Sequence, residues 1–211
     1  PDAFINMLAL LGWNPGNNDE LINLDQLVES FSLELVGKSG ARFDPDKTKW
    51  FNQQYLRAKS NTELAELLKV ESNIDFDIDY VANVCGLMKE RATFIKDILV
   101  DGDYFFGDIT NYDEKTVKKK WKDDTADLMT ELTAVLEGVE DFTTENIETA
   151  FSKYLNDNEY GFGKIGPGFR LLVTGKGMGP SMFEICSTLG KDKVISRMKE
   201  GVSKIGELKA Q

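Results

Sequence analysis

The sequence contains no histidine among its 211 residues, and this absence excludes several classes of active site. It excludes Ser-His-Asp and Cys-His nucleophilic sites, histidine-ligated zinc and any imidazole base at neutral pH. The chain has only two cysteines, Cys85 and Cys186, far fewer than a disulfide scaffold, so we expect both to be buried free thiols. Apolar runs stay well short of the roughly 20 residues that span a bilayer.

Acidic residues are in excess, but they are unevenly distributed. The formal net charge is −11, yet residues 66–157 carry −12 and residues 158–211 carry +4. An acidic chain is a poor non-specific binder of nucleic acid. A basic C-terminal segment on an acidic body still permits a local, selective contact with a polyanion.

Apolar residues recur at helical spacing along almost the whole chain, without convincing strand alternation. Asp44-Pro45 is typical of a helix N-terminus, and either Asp77 or Asp79 is expected to cap a later long helix. One long apolar stripe covers residues 81–99 and another covers residues 117–136, each indicating a single helix. The sequence therefore predicts an all-α fold with a domain boundary near residue 70 and a subdivision of the second domain near residue 140.

The glycine-rich run at residues 161–168 begins with G-x-G-x-x-G, letter for letter. A dinucleotide site needs a strand before this motif and a helix after it, so that pyrophosphate meets the helix N-terminus. A helical segment precedes the motif here and no βαβ unit surrounds it. We therefore predict a loop and no cofactor site.

Two charged clusters are open to a binding or a structural interpretation. The acidic run at residues 75–79 lacks the glycine and the glutamate of a calcium loop, so we expect no metal site. Four lysines at 118, 119, 120 and 122 surround Trp121 and form a candidate phosphate patch. Aspartates follow at 123, 124 and 127, which favours an exposed helix face with internal pairing.

Arg91 and the segment 170–183 are the strongest candidate binding residues. Arg91 is either a surface residue with its stem along an apolar helix face or a guanidinium placed to read a base edge. Gly179-Pro180-Ser181 combines a glycine with a helix N-terminus, whose free N–H groups can meet a phosphate or a base. Met182 is either an apolar platform for a base or an ordinary core residue.

Four groups of residues carry a resemblance to one family. They are Phe4-Ile5-Asn6-Met7-Leu8-Ala9-Leu10-Leu11-Gly12-Trp13; Phe43-Asp44-Pro45-Asp46-Lys47 with Trp50, Asn52 and Tyr55-Leu56-Arg57; Leu87-Met88-Lys89-Glu90-Arg91; and Arg170-Leu171-Leu172-Val173-Thr174-Gly175 with Gly179-Pro180-Ser181-Met182-Phe183 and Leu189-Gly190-Lys191. In this order they resemble the C-terminal, tRNA-binding half of bacterial glutamyl-tRNA synthetases, over essentially the whole chain.

This resemblance implies a class I ligase that attaches glutamate to its tRNA with ATP. The ATP and Mg²⁺ would act in a catalytic domain outside this chain, for which we expect no catalytic residue and no cofactor. Residues 1–70 would form a helical stem-contact subdomain, and residues 71–211 an α-helical anticodon-binding cage. The expected partner is tRNA(Glu), with no DNA or membrane partner, for a cytoplasmic monomer.

The resemblance also assigns roles to individual residues. Arg91 matches the arginine that reads the third anticodon base. Arg170, Gly179, Pro180 and Met182 match other anticodon-contacting positions. Gly179 stands where some members have a side-chain hydroxyl, so a base contact there would come from the backbone alone.

Two other functions are alternatives to RNA recognition. A helical protein-interaction scaffold would present a sizeable exposed apolar patch, and its binding would depend little on salt. A stand-alone enzyme would need carboxylate or lysine chemistry, and no pair of acids at a suitable spacing stands out.

Overall fold

The computed structural model describes residues 1–38 and 40–210, the last two of these by their backbone only, and every regular element in this part of the chain is a helix. The prediction of an all-α fold is confirmed. The chain divides into two compact units, residues 1–102 and the residues from Asp103 onward.

Six α-helices and a 3₁₀ turn form the described part of the first unit. They are α1 (Asp2–Gly12), α2 (Leu24–Ser30), the 3₁₀ turn (Leu33–Leu35), α3 (Pro45–Ala58), α4 (Asn61–Ser72), α5 (Ile78–Met88) and α6 (Asp97–Asp101). The predicted cap Asp44 is confirmed, because it accepts hydrogen bonds from the first turn of α3. Of the two candidate caps for α5, the structure shows Asp77, which accepts from the N–H groups of Asp79 and Tyr80.

Seven α-helices form the described part of the second unit. They are α7 (Asp103–Phe106), α8 (Glu114–Lys120), α9 (Thr125–Glu137), α10 (Thr144–Asp157), α11 (Phe162–Thr174), α12 (Met182–Leu189) and α13 (Lys191–Ala210). No helix among the described residues is both long enough and apolar enough to cross a membrane.

The first unit contains a buried polar contact within its apolar core. Phe51 of α3 packs against Met7 of α1, and both side chains are buried. Beside them, the buried amide oxygen of Asn6 accepts hydrogen bonds from the backbone N–H of Ile22 at 2.9 Å and the hydroxyl of Tyr55 at 3.0 Å. This amide therefore ties the loop before α2 to helices α1 and α3.

The division at residue 102 does not coincide with the predicted boundary near residue 70. Helices α4 and α5 pack on each other across residue 70, with Leu64, Leu68 and Val81 completely buried. These contacts place both helices in one compact unit. The functional division into stem-contact and anticodon-binding segments stays a prediction.

The second unit is built around aromatic and aliphatic side chains from α9 to α13. The ring of Phe151 on α10 contacts the rings of Phe162, Phe169 and Phe183 at centroid distances of 5.4–5.7 Å. Helix α11 packs against α8, α9 and α13. Its position among these three helices matters because α11 carries Arg170.

The prediction of a loop at residues 161–168 is wrong, because Gly161 is the N-cap of α11 and the remaining residues are helical. One of its glycines, Gly168, provides space for a neighbouring helix. A Cβ on Gly168 would lie 3.0 Å from Cγ2 of Thr125 and 3.2 Å from the sulfur of Met129. Close packing against α9 therefore explains a glycine inside this helix.

The prediction of two long helices from the apolar stripes is wrong as well, because the helix is interrupted within each stripe. Helix α5 ends at Met88, and the carboxylate of Asp97 accepts hydrogen bonds from the N–H groups of Thr93 and Phe94. Helix α8 ends before Trp121, whose backbone is extended. Residues in both breaks are buried, so the apolar periodicity continues although the helix does not.

Candidate functional site

Arg91 lies in the turn that follows α5, not on the helix where the sequence placed it. Its N–H donates to the carbonyl of Met88 at 2.9 Å, and its side chain is exposed. The preceding residue, Glu90, forms an ion pair with Arg57 of α3 at 3.2 Å. The turn is therefore fixed to α3, and the guanidinium of Arg91 is available to a ligand.

Arg170 lies on α11 and is half-buried. Its guanidinium donates a hydrogen bond to the carbonyl of Pro180 at 2.8 Å. Gly179 allows this approach, because a Cβ there would lie 2.9 Å from a terminal nitrogen of Arg170. The structure thus brings together three of the predicted residues, Arg170, Gly179 and Pro180.

Met182 is close to these residues in sequence, but its side chain is only 4% exposed. It occupies the first turn of α12, where the hydroxyl of Ser181 caps the helix by accepting from the N–H of Glu184. The exposed apolar side chain of this segment is Met178, at 86% exposure. Sequence analysis missed Met178, and its place between two glycines, Gly177 and Gly179, is the signal that could have identified it.

The loop at residues 175–180 is attached to the start of α8. Gly175 ends α11 in the left-handed conformation with φ +72°, and its carbonyl accepts the N–H of Asp113 at 2.8 Å. Gly177 lies so close that a Cβ on it would be 2.2 Å from the hydroxyl oxygen of Thr116. These contacts hold the loop in a defined position beside α8.

Arg197 on α13 is a buried guanidinium that sequence analysis did not select. It donates to the carbonyls of Val173 at 2.9 Å, Tyr104 at 2.8 Å and Gly107 at 2.7 Å. The guanidinium thereby joins the end of α11 to the segment around α7. We assign it a structural role in supporting the segments that flank the loop.

The lysines around Trp121 are exposed, as predicted, and two of the charged residues in this region pair with residues other than those expected. Lys118 pairs with Glu114 at 3.3 Å within α8. Asp124 pairs instead with Lys164 of α11 at 3.0 Å. The prediction that Asp124 pairs with a neighbouring lysine of the 118–122 cluster is therefore wrong.

Both cysteines are free and buried, as predicted. Burial raises the pKa of the Cys85 thiol to about 11, with a small opposing effect from Lys89. Burial also raises the pKa of the Cys186 thiol, and the nearby Arg170 opposes that shift. Neither thiol ionises readily at neutral pH, so both serve as core residues.

The candidate residues fall in both units, with Arg91 in the first and the other four in the second. Within the second unit, Arg170, Gly179 and Pro180 are in direct proximity and Met182 lies in the adjoining helix turn. Their polar groups are of the types that recognise unpaired bases, because such recognition uses edge hydrogen bonds, guanidinium planes and apolar stacking surfaces.

Known proteins with similar sequences are glutamate–tRNA ligases. The chain is 47% identical to a glutamate–tRNA ligase of Phocaeicola vulgatus over 205 residues, which cover 96% of this chain and 41% of the relative. It is 44% identical to the glutamate–tRNA ligase of Flavobacterium psychrophilum, again over 41% of that relative. The chain thus spans about two fifths of the length of these relatives.

A solved structure shows the same fold. The crystal structure of a glutamate tRNA ligase from Elizabethkingia meningosepticum, in complex with its amino acid, matches with a TM-score of 0.90 and 38% identity, covering 97% of this chain and 41% of that one. The resemblance noted in the sequence is therefore confirmed. Since the family model for anticodon binding domains matches residues 53–202, the chain belongs to the anticodon-binding domain family.

Proposed function

We propose that this chain recognises the anticodon loop of tRNA(Glu) as the C-terminal part of a class I glutamate–tRNA ligase. The match of residues 53–202 to anticodon binding domains carries this proposal, and the similarity to glutamate–tRNA ligases indicates which tRNA is recognised. The ligation of glutamate with ATP and Mg²⁺ belongs, in this proposal, to a part of the ligase outside the chain. We assign the chain no cofactor and no catalytic residue.

The geometry supports a division of roles among the proposed RNA-binding residues. Arg91 is exposed and offers a planar set of donors for a base edge. Arg170 holds the carbonyl of Pro180, which fixes the loop that presents Gly179 and Met178. Arg91 is thus proposed to read a base, whereas Arg170 positions the loop that meets the RNA.

The experiment measures binding of the chain to tRNA(Glu) and to the same tRNA with its three anticodon bases replaced. We expect Arg91→Ala to weaken binding of tRNA(Glu) by about 1–3 kcal/mol and to reduce the preference over the altered tRNA. Arg42→Ala removes an equally exposed arginine from the same unit and serves as the matched control. Equal affinity of the parent chain for both RNAs would show that the proposed function is wrong.

Arg170 requires a second readout because it also stabilises the loop. We expect Arg170→Ala to weaken tRNA(Glu) binding by a similar amount and Arg170→Lys to restore little, since lysine lacks the planar fork. Circular dichroism spectra of both variants should match that of the parent chain. Unchanged binding by both variants would remove Arg170 from the site.

The remaining properties follow from this proposal. A tRNA-reading chain of a bacterial ligase is proposed to act in the cytoplasm as a monomer, without a DNA or membrane partner. Gel filtration with light scattering tests the monomer directly. A mass of twice the chain's 23.7 kDa would contradict it.

A second function, contact with another protein surface, is favoured for the start of the first unit. Large apolar side chains are exposed there, among them Phe4 at 49%, Leu8 at 44% and Leu33 at 77%. Phe4 and Leu8 are one helical turn apart on α1 and form one apolar strip. Binding through this strip would persist at high salt, whereas RNA binding would not.

A further inference from the structure

Helix α8 and the two residues after it carry a dense cluster of basic side chains. Lys115, Lys118, Lys119, Lys120 and Lys122, which we call the α8 lysine patch, lie within eight residues that contain no acidic side chain. All five lysines are exposed. The surrounding second unit is acidic overall, so the patch is a local exception in charge.

The inner face of α8 fixes the direction in which the patch points. Val117 is 6% exposed and Trp121 is 3% exposed, and α8 packs on α11. Val117 marks the buried face of α8, and Trp121, the residue that follows the helix, is buried at its end. The lysines occupy the remaining faces, which solvent and a ligand can reach.

The patch is continuous with the loop at residues 175–180. Thr116 of α8 is in contact with Gly177 of that loop. Lys119 and Lys120 follow Thr116 by three and four positions, so they lie about one turn farther along the same face. A ligand that occupies the loop can therefore extend directly onto these two lysines.

Most lysines of the patch have no acidic partner within the described residues. Lys118 pairs with Glu114, whereas Lys115, Lys119, Lys120 and Lys122 form no ion pair there. Elsewhere in this unit, four exposed lysines and the half-buried Lys176 do form such pairs; the four are Lys153, Lys164, Lys199 and Lys204. Unpaired ammonium groups next to a ligand-binding loop are suited to phosphate, the charge that RNA presents at every nucleotide.

We propose that the α8 lysine patch binds the phosphate backbone of the anticodon stem beside the loop at residues 175–180. The proposal rests on the proposed function and adds to it a phosphate contact that does not depend on the base sequence of the RNA. Backbone contacts set the position and orientation of a nucleic acid, while base contacts carry the sequence information. The patch thus supplies affinity, and the arginine and loop donors supply selectivity.

Stabilisation of the helix end is the other effect to which these lysines contribute. A helix C-terminus carries partial negative charge, and lysines in its last turn stabilise it. That effect alone predicts that their removal lowers the melting temperature and leaves RNA affinity unchanged. Measuring both the melting temperature and the RNA affinity therefore separates helix stabilisation from phosphate binding.

The experiment compares Lys119→Gln/Lys120→Gln with the matched pair Lys153→Gln/Lys199→Gln. Both variants remove two exposed lysines from the same unit, but Lys153 and Lys199 are already paired, with Asp157 and Glu137. Affinity is measured at several salt concentrations for the anticodon stem-loop of tRNA(Glu) and for the same RNA with its three anticodon bases replaced. Melting curves record the stability of each variant.

We expect Lys119→Gln/Lys120→Gln to bind both RNAs more weakly by the same factor, on the order of ten-fold at low salt, with the salt slope reduced by about 1.5. The matched pair should change affinity by about two-fold at most. If both variants lose the same affinity, or if the patch variant binds like the parent, the patch is not a phosphate site. Discrimination between the two RNAs by the parent chain tests the proposed function independently.

Discussion

At the scale of single residues, two arginines of the second unit bind backbone carbonyl groups. Arg170 binds the carbonyl of Pro180, and Arg197 binds three carbonyls, including that of Tyr104, which is 93 residues away in sequence. Sequence patterns identify an arginine but not such distant partners. For this reason Arg170 was predicted only as an RNA contact, and Arg197 was not selected at all.

Replacing Arg197 by methionine should destabilise the protein. The variant keeps much of the apolar stem but leaves the carbonyls of Val173, Tyr104 and Gly107 without this donor. We expect the free energy of unfolding to fall by about 3 kcal/mol, because buried groups that lose a charged partner keep their desolvation penalty. Urea denaturation measures this change.

Lys199→Met on the same helix provides the control for Arg197. Its side chain is 60% exposed, so we expect a change within about 0.5 kcal/mol. Similar losses in the two variants would show that the Arg197 hydrogen bonds contribute little.

At the scale of elements, two glycines of α11 are expected to respond in opposite ways to alanine. A Cβ on Gly163 meets no atom within 4 Å, whereas one on Gly168 meets Thr125 and Met129 at 3.0–3.2 Å. Gly163→Ala should raise the free energy of unfolding by about 0.5–1 kcal/mol, because alanine favours a helix. Gly168→Ala should lower it by about 1–3 kcal/mol through overpacking.

Thermal or urea unfolding of these two variants tests the helical conformation of residues 162–168. In a surface loop, both substitutions would have similar and small effects. A loss of stability in Gly163→Ala would contradict the helix.

The helices show which parts of a fold follow from local sequence. The cap Asp44 was predicted correctly and the cap of α5 was narrowed to two aspartates, because a capping side chain bonds to N–H groups two or three residues away. The glycine run was misassigned because its meaning depends on Thr125 and Met129, which belong to another helix. Local signals thus fixed helix starts, whereas tertiary packing decided the conformation of α11.

The candidate site was less predictable from the sequence than the helix starts were. The sequence identified Arg170, Gly179 and Pro180 as candidates, but the hydrogen bond that brings them together is a tertiary contact that spacing does not reveal. The burial of Met182 could not be derived from spacing, whereas the two glycines that flank Met178 were a usable signal for its exposure. The burial of Met182 depends on the packing of α12, which only the structure reveals.

At the scale of the whole molecule, each unit contains one buried thiol that makes stability sensitive to alkaline pH. Burial raises the pKa of the Cys85 thiol to about 11, and it also raises the pKa of the Cys186 thiol. Above about pH 9, thiols of the unfolded chain lose protons that the folded chain retains. The unfolded state is then favoured, and stability falls with rising pH by up to about 1.4 kcal/mol per pH unit for each thiol.

Urea unfolding at pH 8 and pH 10 tests this effect for the parent chain and for Cys85→Ala. We expect a smaller loss of stability between the two pH values in the variant, because one ionising group has been removed. The difference between the two losses isolates Cys85 from lysines and tyrosines, which also titrate in this range. Equal losses would contradict the shifted pKa.

The burial of Trp121 between α8 and α9 has a practical consequence. The chain has three tryptophans, and the other two, Trp13 and Trp50, belong to the first unit. With those two replaced by phenylalanine, fluorescence emission would come from a single buried indole, next in sequence to Lys120 and Lys122. Its wavelength and quenching would then report events near these lysines without an attached dye.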